Sequence, residues 1–265
     1  MTSQASTPSI SLTEPGRWKR WLGVALYALV FAWAARGVEA SLVRFLEGLP
    51  LLARIVWLML LPDWTWAGRS LRGMVVSVQV ALLGTTLGMV LAFPLAFLAS
   101  RNISPHGASS YVGKQILNLI RTFPEIILAI FFVAAYGPGA LAGMMAIGLH
   151  STGSLGKLYA EVVEAMDPGP LEALHAAGAS RVKVFWFAVL PQVLPEFLAL
   201  SLYRLEINAR AATVLGLVGA GGIGTIMVQA LQFRRWEVVG MALLVIVVAV
   251  TVIDTVSAAL RRRLV

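Results

Sequence analysis

From Gly73 to Ser100 the chain carries no charged residue, a run longer than the roughly 20 apolar residues that carry a helix across a bilayer. It stops at Arg101-Asn102, and a polar loop follows as far as Lys114. Upstream, Trp21 to about Val38 reads as a first span. Between Ser41 and Trp66, Arg44, Glu47 and Arg54 alternate with apolar residues before Pro62-Asp63-Trp64. That pattern predicts an amphipathic segment lying at the interface, with Trp57, Trp64 and Trp66 at headgroup level. Downstream, a third span is predicted over about Gln115 to Tyr136 and is stopped by Gly137-Pro138-Gly139, a strong turn signal. A fourth begins near Ala140 and turns polar by Ser151-Thr152-Gly153-Ser154. The fifth runs from about Val184 to Asn208 and the sixth from about Val238 to Leu260. A polar stretch, Lys157 to Lys183, separates spans four and five; a glycine-rich apolar stretch, Ala211 to Phe233, separates five and six.

The expected fold is therefore all-α and polytopic, with about six transmembrane helices. Residues 1–20 form a cytoplasmic tail, Ser/Thr/Pro-rich and disordered over Met1 to Glu14; residues 21–66 hold the first span and the interfacial segment. Residues 67–265 form the core, with its main cytoplasmic loop at about 157–183. The first span is not a cleaved signal peptide, because Trp33 and Arg36 stand where small residues would be needed. An even number of spans puts both termini on one side. The basic ends, Arg17, Lys19 and Arg20 and then Arg261, Arg262 and Arg263, suit the cytoplasm, although Arg44, Arg54 and Arg69 fall on the outer side.

Composition narrows the class. Hydrophobic residues make up 58% of the 265 positions and charged ones 13%, about half of what a soluble surface needs; mean hydropathy is +0.82. The net charge of +8 sits at the edges of apolar runs rather than on one exposed face, which excludes nucleic-acid binding. There is no cysteine, so thiolate chemistry is excluded. His106, His150 and His175 are too scattered for a metal site, and His175 falls on the loop helix described next.

The most informative stretch runs from Asp167 to Pro191. Asp167 can cap a helix with Pro168 at its first position, or Gly169 and Pro170 can take those parts. Glu172 suits the positive end of the dipole, Ala173, Leu174, Ala176 and Ala177 propagate a short helix, and Gly178 permits a sharp turn. Such a helix offers a shallow apolar surface to a groove on a soluble partner. Glu172-Ala173, Gly178 and Leu190-Pro191 stand at the spacing of the cytoplasmic coupling loop of ABC-importer permeases, and the segment resembles that loop with Leu174 and Ala188 as its two departures. A second similarity narrows the group. Tyr203-Arg204-Leu-Glu206-Ile-Asn208-Ala-Arg210, continuing to Gly224, is similar to permeases of phosphonate transport. So are Arg121-Thr-Phe-Pro124-Glu125 and Phe93-Pro94-Leu-Ala-Phe-Leu-Ala.

This resemblance implies a pair of permeases in the bacterial inner membrane, two cytoplasmic ATPase subunits that bind ATP and Mg, and an extracytoplasmic solute-binding protein. The solute would be a phosphonate or a related phosphorus oxyanion such as phosphite, hypophosphite or a phosphate ester. It also implies that Glu172, Ala173, Gly178, Leu190 and Pro191 couple the chain to the ATPase. The chain itself would carry no cofactor: no G-x-x-x-x-G-K-[ST] phosphate loop occurs in it.

In span five, Tyr203, Glu206 and Arg210 share a face, with Arg204 and Asn208 beside them. One reading has Arg204 or Arg210 present its guanidinium to a passing anion; the other is a Glu206–Arg210 pair that neutralises itself. Gly216, Gly219, Gly221, Gly222 and Gly224 include a G-x-G-x-x-G match, but it follows a span instead of a strand, so nucleotide binding is rejected. Close helix packing through small residues and a broken or re-entrant segment lining the route remain, and the second is favoured. Pro191 and Pro195 are expected to bend the start of span five, and Arg234-Arg235 to mark an interface. A membrane-embedded enzyme would need partners for Glu161, Glu164, Asp167 and Glu172, which the loop does not offer. A channel would not explain the coupling-loop spacing. Within transport, a permease for methionine or a quaternary amine shares the loop and the glycine-rich segment.

Overall fold

The computed structural model describes residues 17–38, 41–104 and 107–264; the tail expected over Met1 to Glu14, and His106, lie outside them. Residues 1–54 and 55–265 form two units. The first holds helix α1 (Arg17–Gly37) and most of α2 (Leu42–Met59). The segment expected at the interface is thus helical, with Pro50 inside it.

In the second unit a 3-10 turn, Trp64–Trp66, leads into α3 (Ala67–Ala99). Asp63 nucleates the turn. The Thr65 hydroxyl and N–H both donate to its Oδ1, at 2.6 and 3.0 Å, and these bonds hold the carboxyl below its ordinary range. Arg69 and Arg235 stack on the Trp66 ring at 4.7 and 5.1 Å, which gives both guanidinium groups an aromatic partner.

The next element corrects the sequence reading. Span three is two helices, α4 (Gly107–Thr122) and α5 (Glu125–Tyr136), bent by 80°. Pro124 has no N–H to continue α4 and biases Phe123 away from helical dihedrals. Helix α6 (Ala140–Ala165) then runs eight residues beyond Lys157, so the loop expected at 157–183 begins only after Ala165. The reason is burial: Leu155, Tyr159, Ala160 and Val163 sit in one core cluster with Ala96, Leu117 and Phe197. Packing therefore continues the helix past its apolar stretch.

The remaining elements are α7 (Gly169–Ala176), α8 (Arg181–Val184), α9 (Leu190–Leu215), α10 (Ile223–Gln232) and α11 (Trp236–Arg261). Span five continues seven residues past Asn208, to Leu215. A π-turn, Phe185–Val189, joins α8 to α9, because Pro191 cannot donate to the Phe187 carbonyl and its ring crowds that group. Among the described residues three continuous helices are long and apolar enough to cross a membrane, and the α1–α2 and α4–α5 pairs pass only jointly. Helix α6, 26 residues long, falls short on composition because its neighbours rather than lipid cover it. With it the protein is an all-α, multi-pass membrane protein.

Helices α3 and α6 form the centre of the second unit. A Cβ on Gly84 would lie 2.7 Å from Ile147 Cγ2, one on Gly88 2.7 Å from Ser151 Cβ, and one on Gly148 2.6 Å from Leu87 Cδ2. Small residues four apart let the two backbones approach this closely. The glycine-rich segment uses the same device across a turn. After a 3-10 turn over Gly216–Val218, Gly219, Gly221 and Gly222 take φ of 89°, 80° and 77°, and α10 starts back along Gly216. A Cβ on Gly216 would meet Gly221 O at 2.5 Å and Gly224 Cα at 2.7 Å. The segment is therefore broken as the sequence suggested, and close backbone packing is what holds the break.

Candidate functional site

The loop between α6 and α9 is built as a projecting helix. The Asp167 Oδ1 accepts the Gly169 N–H at 2.9 Å and starts α7, with Glu172 in its first turn. At the far end Gly178 takes φ 76°. That lets the Ala179 N–H reach the Leu174 carbonyl at 3.0 Å, and the Gly178 N–H reach that of His175 at 3.0 Å, closing the helix. Glu172, Ala173, Ala176 and Ala177 are exposed, while Leu171 and Leu174 are half-buried. The outward face is thus small and apolar with one acid, and Leu174, the departure from the family pattern, lies on the partly covered side. His175 Nδ1 donates to its own helix, at the Leu171 carbonyl, 2.8 Å away.

Leu190 and Pro191 open α9, and the residue beside them does what the sequence did not suggest. The Gln192 Nε2 donates to the Ala188 carbonyl at 2.8 Å and to that of Asp167 at 3.4 Å, while its Oε1 accepts the Asp167 N–H at 3.2 Å. One amide thus ties the start of the α7 segment to the π-turn. Asn102 does the same for α6, donating to the Val163 carbonyl at 2.6 Å, and Glu164 accepts from Lys114 Nζ at 2.8 Å and the Arg101 N–H at 2.9 Å.

The second constellation lies where α3, α5, α6 and α9 meet. Arg204 is 9% exposed and Asn208 fully buried. The Arg204 Nη2 donates to Glu125 Oε1 at 2.8 Å and its Nε to Ser151 Oγ at 3.2 Å. The Asn208 Nδ2 donates to Thr85 Oγ1 at 2.8 Å and Ser151 Oγ at 2.9 Å, leaving its Oδ1 without a donor. His150 enters from α6, with Nε2 3.3 Å from the same Glu125 Oε1 and Nδ1 donating to the Phe123 carbonyl at 3.0 Å. Glu125 starts α5, where the helix dipole favours an anion. It is placed there by the bend at Pro124.

The other polar residues of α9 belong elsewhere. Glu206, 6% exposed, pairs with Arg261 at 2.6 Å, and Arg210 with Asp254 at 3.2 Å. The Glu206–Arg210 pair of the sequence reading is therefore replaced by two ties from α9 to α11. Tyr203 is half exposed, beneath the Arg261 guanidinium at 5.8 Å. Of the two arginines, only Arg204 is buried at the meeting of helices. Glu125 was visible in sequence as part of a motif and His150 as a scattered histidine; neither spacing reveals that both face Arg204.

Comparison with known proteins gives the chain a family and its fold a counterpart. Residues 84–265 match the model of a family described as "Binding-protein-dependent transport system inner membrane component". The phosphite transport system permease protein PtxC of Stutzerimonas stutzeri is 40% identical over 249 residues, covering 92% of this chain and 90% of that protein. The phosphate-import permease protein PhnE of Mycolicibacterium smegmatis is 40% identical over 189 residues, 71% of this chain but 36% of that longer protein. Among solved structures, an inward-facing form of the MetNI methionine ABC transporter superposes with a TM-score of 0.67 at 19% identity, over 77% of this chain and 99% of that one. At that identity the likeness concerns the fold.

Proposed function

This chain belongs to the binding-protein-dependent transport system inner membrane component family, and on that premise we propose that it forms the translocation pathway of an ATP-driven importer for a phosphorus oxyanion. Phosphite and phosphonate are the favoured solutes. The observation that carries the choice is Arg204, a buried guanidinium held where four helices meet, against Glu125 and Ser151. A cation in that position is costly unless it is paired or faces a polar route, and a guanidinium matches the oxygens of a tetrahedral oxyanion. Two copies of the chain would enclose the route, and a solute-binding protein would deliver to its outer mouth. Two ATPase subunits, which bind ATP and Mg, would dock on the exposed face of α7. The bacterial inner membrane with both termini in the cytoplasm completes the assignment.

Gentle detergent purification from the native membrane tests it. The chain is expected to bring an ATPase with it, and phosphite or methylphosphonate to stimulate that activity when the binding protein is present. A chain that purifies alone and without ATPase activity overturns the importer reading.

Two substitutions probe the docking end. Gly178→Asp forces a side chain into left-handed backbone, a cost of roughly 1–2 kcal/mol. The amount of copurifying ATPase is expected to fall about tenfold, as 1.4 kcal/mol dictates. Gln192→Ala removes the amide that ties Asp167 to Ala188. ATPase binding is expected to persist, while solute-stimulated hydrolysis drops severalfold relative to the unstimulated rate; equal loss of both rates would deny Gln192 a positioning role.

A further inference from the structure

We propose that the Glu125 carboxylate is a built-in occupant of an oxyanion site, filling in the empty permease the position that the transported anion takes during passage. The proposal rests on the importer reading above and adds the site and its internal competitor. Three observations converge on it. Two side chains from different helices meet at one oxygen, Glu125 Oε1: the Arg204 guanidinium on α9 donates to it at 2.8 Å, and the His150 Nε2 on α6 lies 3.3 Å away. A guanidinium aimed at one acceptor oxygen in this way is also how an oxygen of a phosphorus oxyanion is held, by a charge-assisted donor. His150 Nδ1 is engaged by the Phe123 carbonyl at 3.0 Å, which fixes the ring with Nε2 facing the carboxylate.

The second observation is where the carboxylate is mounted. Glu125 is the first residue of α5, a helix of 12 residues, so free backbone N–H groups and the positive end of the dipole lie beside it. These would attract an arriving anion as they attract the carboxylate. The third is that the site keeps polar capacity no internal partner uses. Asn208 is fully buried with Oδ1 lacking a donor, and Ser151 Oγ already accepts from both Arg204 and Asn208. The Ser151 hydroxyl hydrogen is therefore available to an added oxygen. The protonated oxygen of a phosphorus monoanion offers Asn208 Oδ1 the donor it lacks.

The side chain of Glu125 is 18% exposed and that of Arg204 11%, so the carboxylate is the more accessible of the two. Exchange then proceeds without leaving a bare buried charge at any stage: the anion takes Arg204 as Glu125 swings away, and the carboxylate returns when the anion leaves. Such an occupant lowers affinity for the solute and hastens its release, which suits a route whose binding is done by another protein.

The test uses the purified permease–ATPase complex without its binding protein, with radiolabelled phosphite as the probe in equilibrium dialysis. Wild type is expected to bind weakly. Glu125→Gln removes the competing charge and is expected to bind phosphite at least tenfold more tightly, and to gain thermal stability on adding phosphite where wild type gains none. Glu125→Gln combined with Arg204→Gln is expected to lose that binding. Should the Glu125→Gln complex not assemble, Glu125→Asp carries the test. Withdrawing the carboxylate by one methylene weakens the competitor, and binding is expected to tighten at least threefold. Binding unchanged by either Glu125 substitution, or tight binding that survives loss of Arg204, overturns the proposal. These outcomes are separate from the importer reading, which stands or falls on solute-stimulated ATPase activity of the wild-type complex.

Discussion

Gly224→Ala is expected to destabilise the protein by about 3 kcal/mol or more, the upper end of what overpacking costs, and to leave little folded material after detergent extraction. The added methyl would overlap the Thr213 carbonyl oxygen and lie 2.8 Å from Gly216 Cα. All of these are backbone atoms of a turn closed by three residues with positive φ, so no side chain can swing aside. Relief would require α10 to lift off the end of α9, which also strips the Ile223 N–H of its bond to Ser77 Oγ at 3.1 Å. Thermal unfolding followed by size-exclusion chromatography reads the effect, a midpoint lowered by roughly 6–12 °C at 2–4 °C per kcal/mol. Gly68→Ala is the control. Nothing lies within 4 Å of its Cβ, and in the first turn of α3 alanine is favoured over glycine by up to about 1 kcal/mol. A Gly224→Ala protein as stable as that control would show that the turn is not held by backbone contact.

The second large effect separates fold from transport at Arg204. Arg204→Met alone strands the Glu125 carboxylate beside His150, and breaking a buried pair from one side costs roughly 3–5 kcal/mol. The lower end applies here, because Glu125 is 18% exposed. Arg204→Met with Glu125→Met removes both charges and is expected to recover most of that stability, since a buried pair replaced by apolar residues is often neutral. The double variant is expected to assemble with its ATPase yet fall below a hundredth of wild-type oxyanion uptake. Uptake near wild type in a well-folded double variant would remove Arg204 from the pathway.

What the sequence disclosed depended on how local the cause was. The α7 segment was legible because its chemistry lies within a dozen residues: Asp167 starts it, Gly178 ends it, and Leu190-Pro191 follow at a set distance. Arg204 was legible as a cation at membrane depth, but not its partner, since Glu125 lies 79 residues away on another helix. The Gln192 amide was equally invisible, an unremarkable polar residue until α7 folds back beside it. Helix α6 misled for a physical reason. Its serines and glycines leave it short of a membrane-spanning composition, yet Ser151, Thr152, Gly153 and Gly156 are buried against α3 and α4, so its polarity reflects packing partners and not an approaching surface. The bend between α4 and α5 had its signal in Pro124, outweighed by apolar residues on both sides. The G-x-x-x-G at Gly84 and Gly88, which the sequence reading passed over, marks the face that meets α6.

The π-turn and the Gln192 amide have a mechanical meaning. From Leu190 to Arg204 the α9 backbone is one continuous helix, about 21 Å at 1.5 Å per residue, and α7 is lashed to its lower end through Gln192. On the proposed function the arrangement would work as a push-rod, carrying a load applied to α7 up α9 towards the guanidinium. Its one yielding joint is Pro195, where a rung of the helical ladder is missing. Stiffness at that joint, more than any contact at the two ends, would then set how much of a partner's stroke arrives at Arg204.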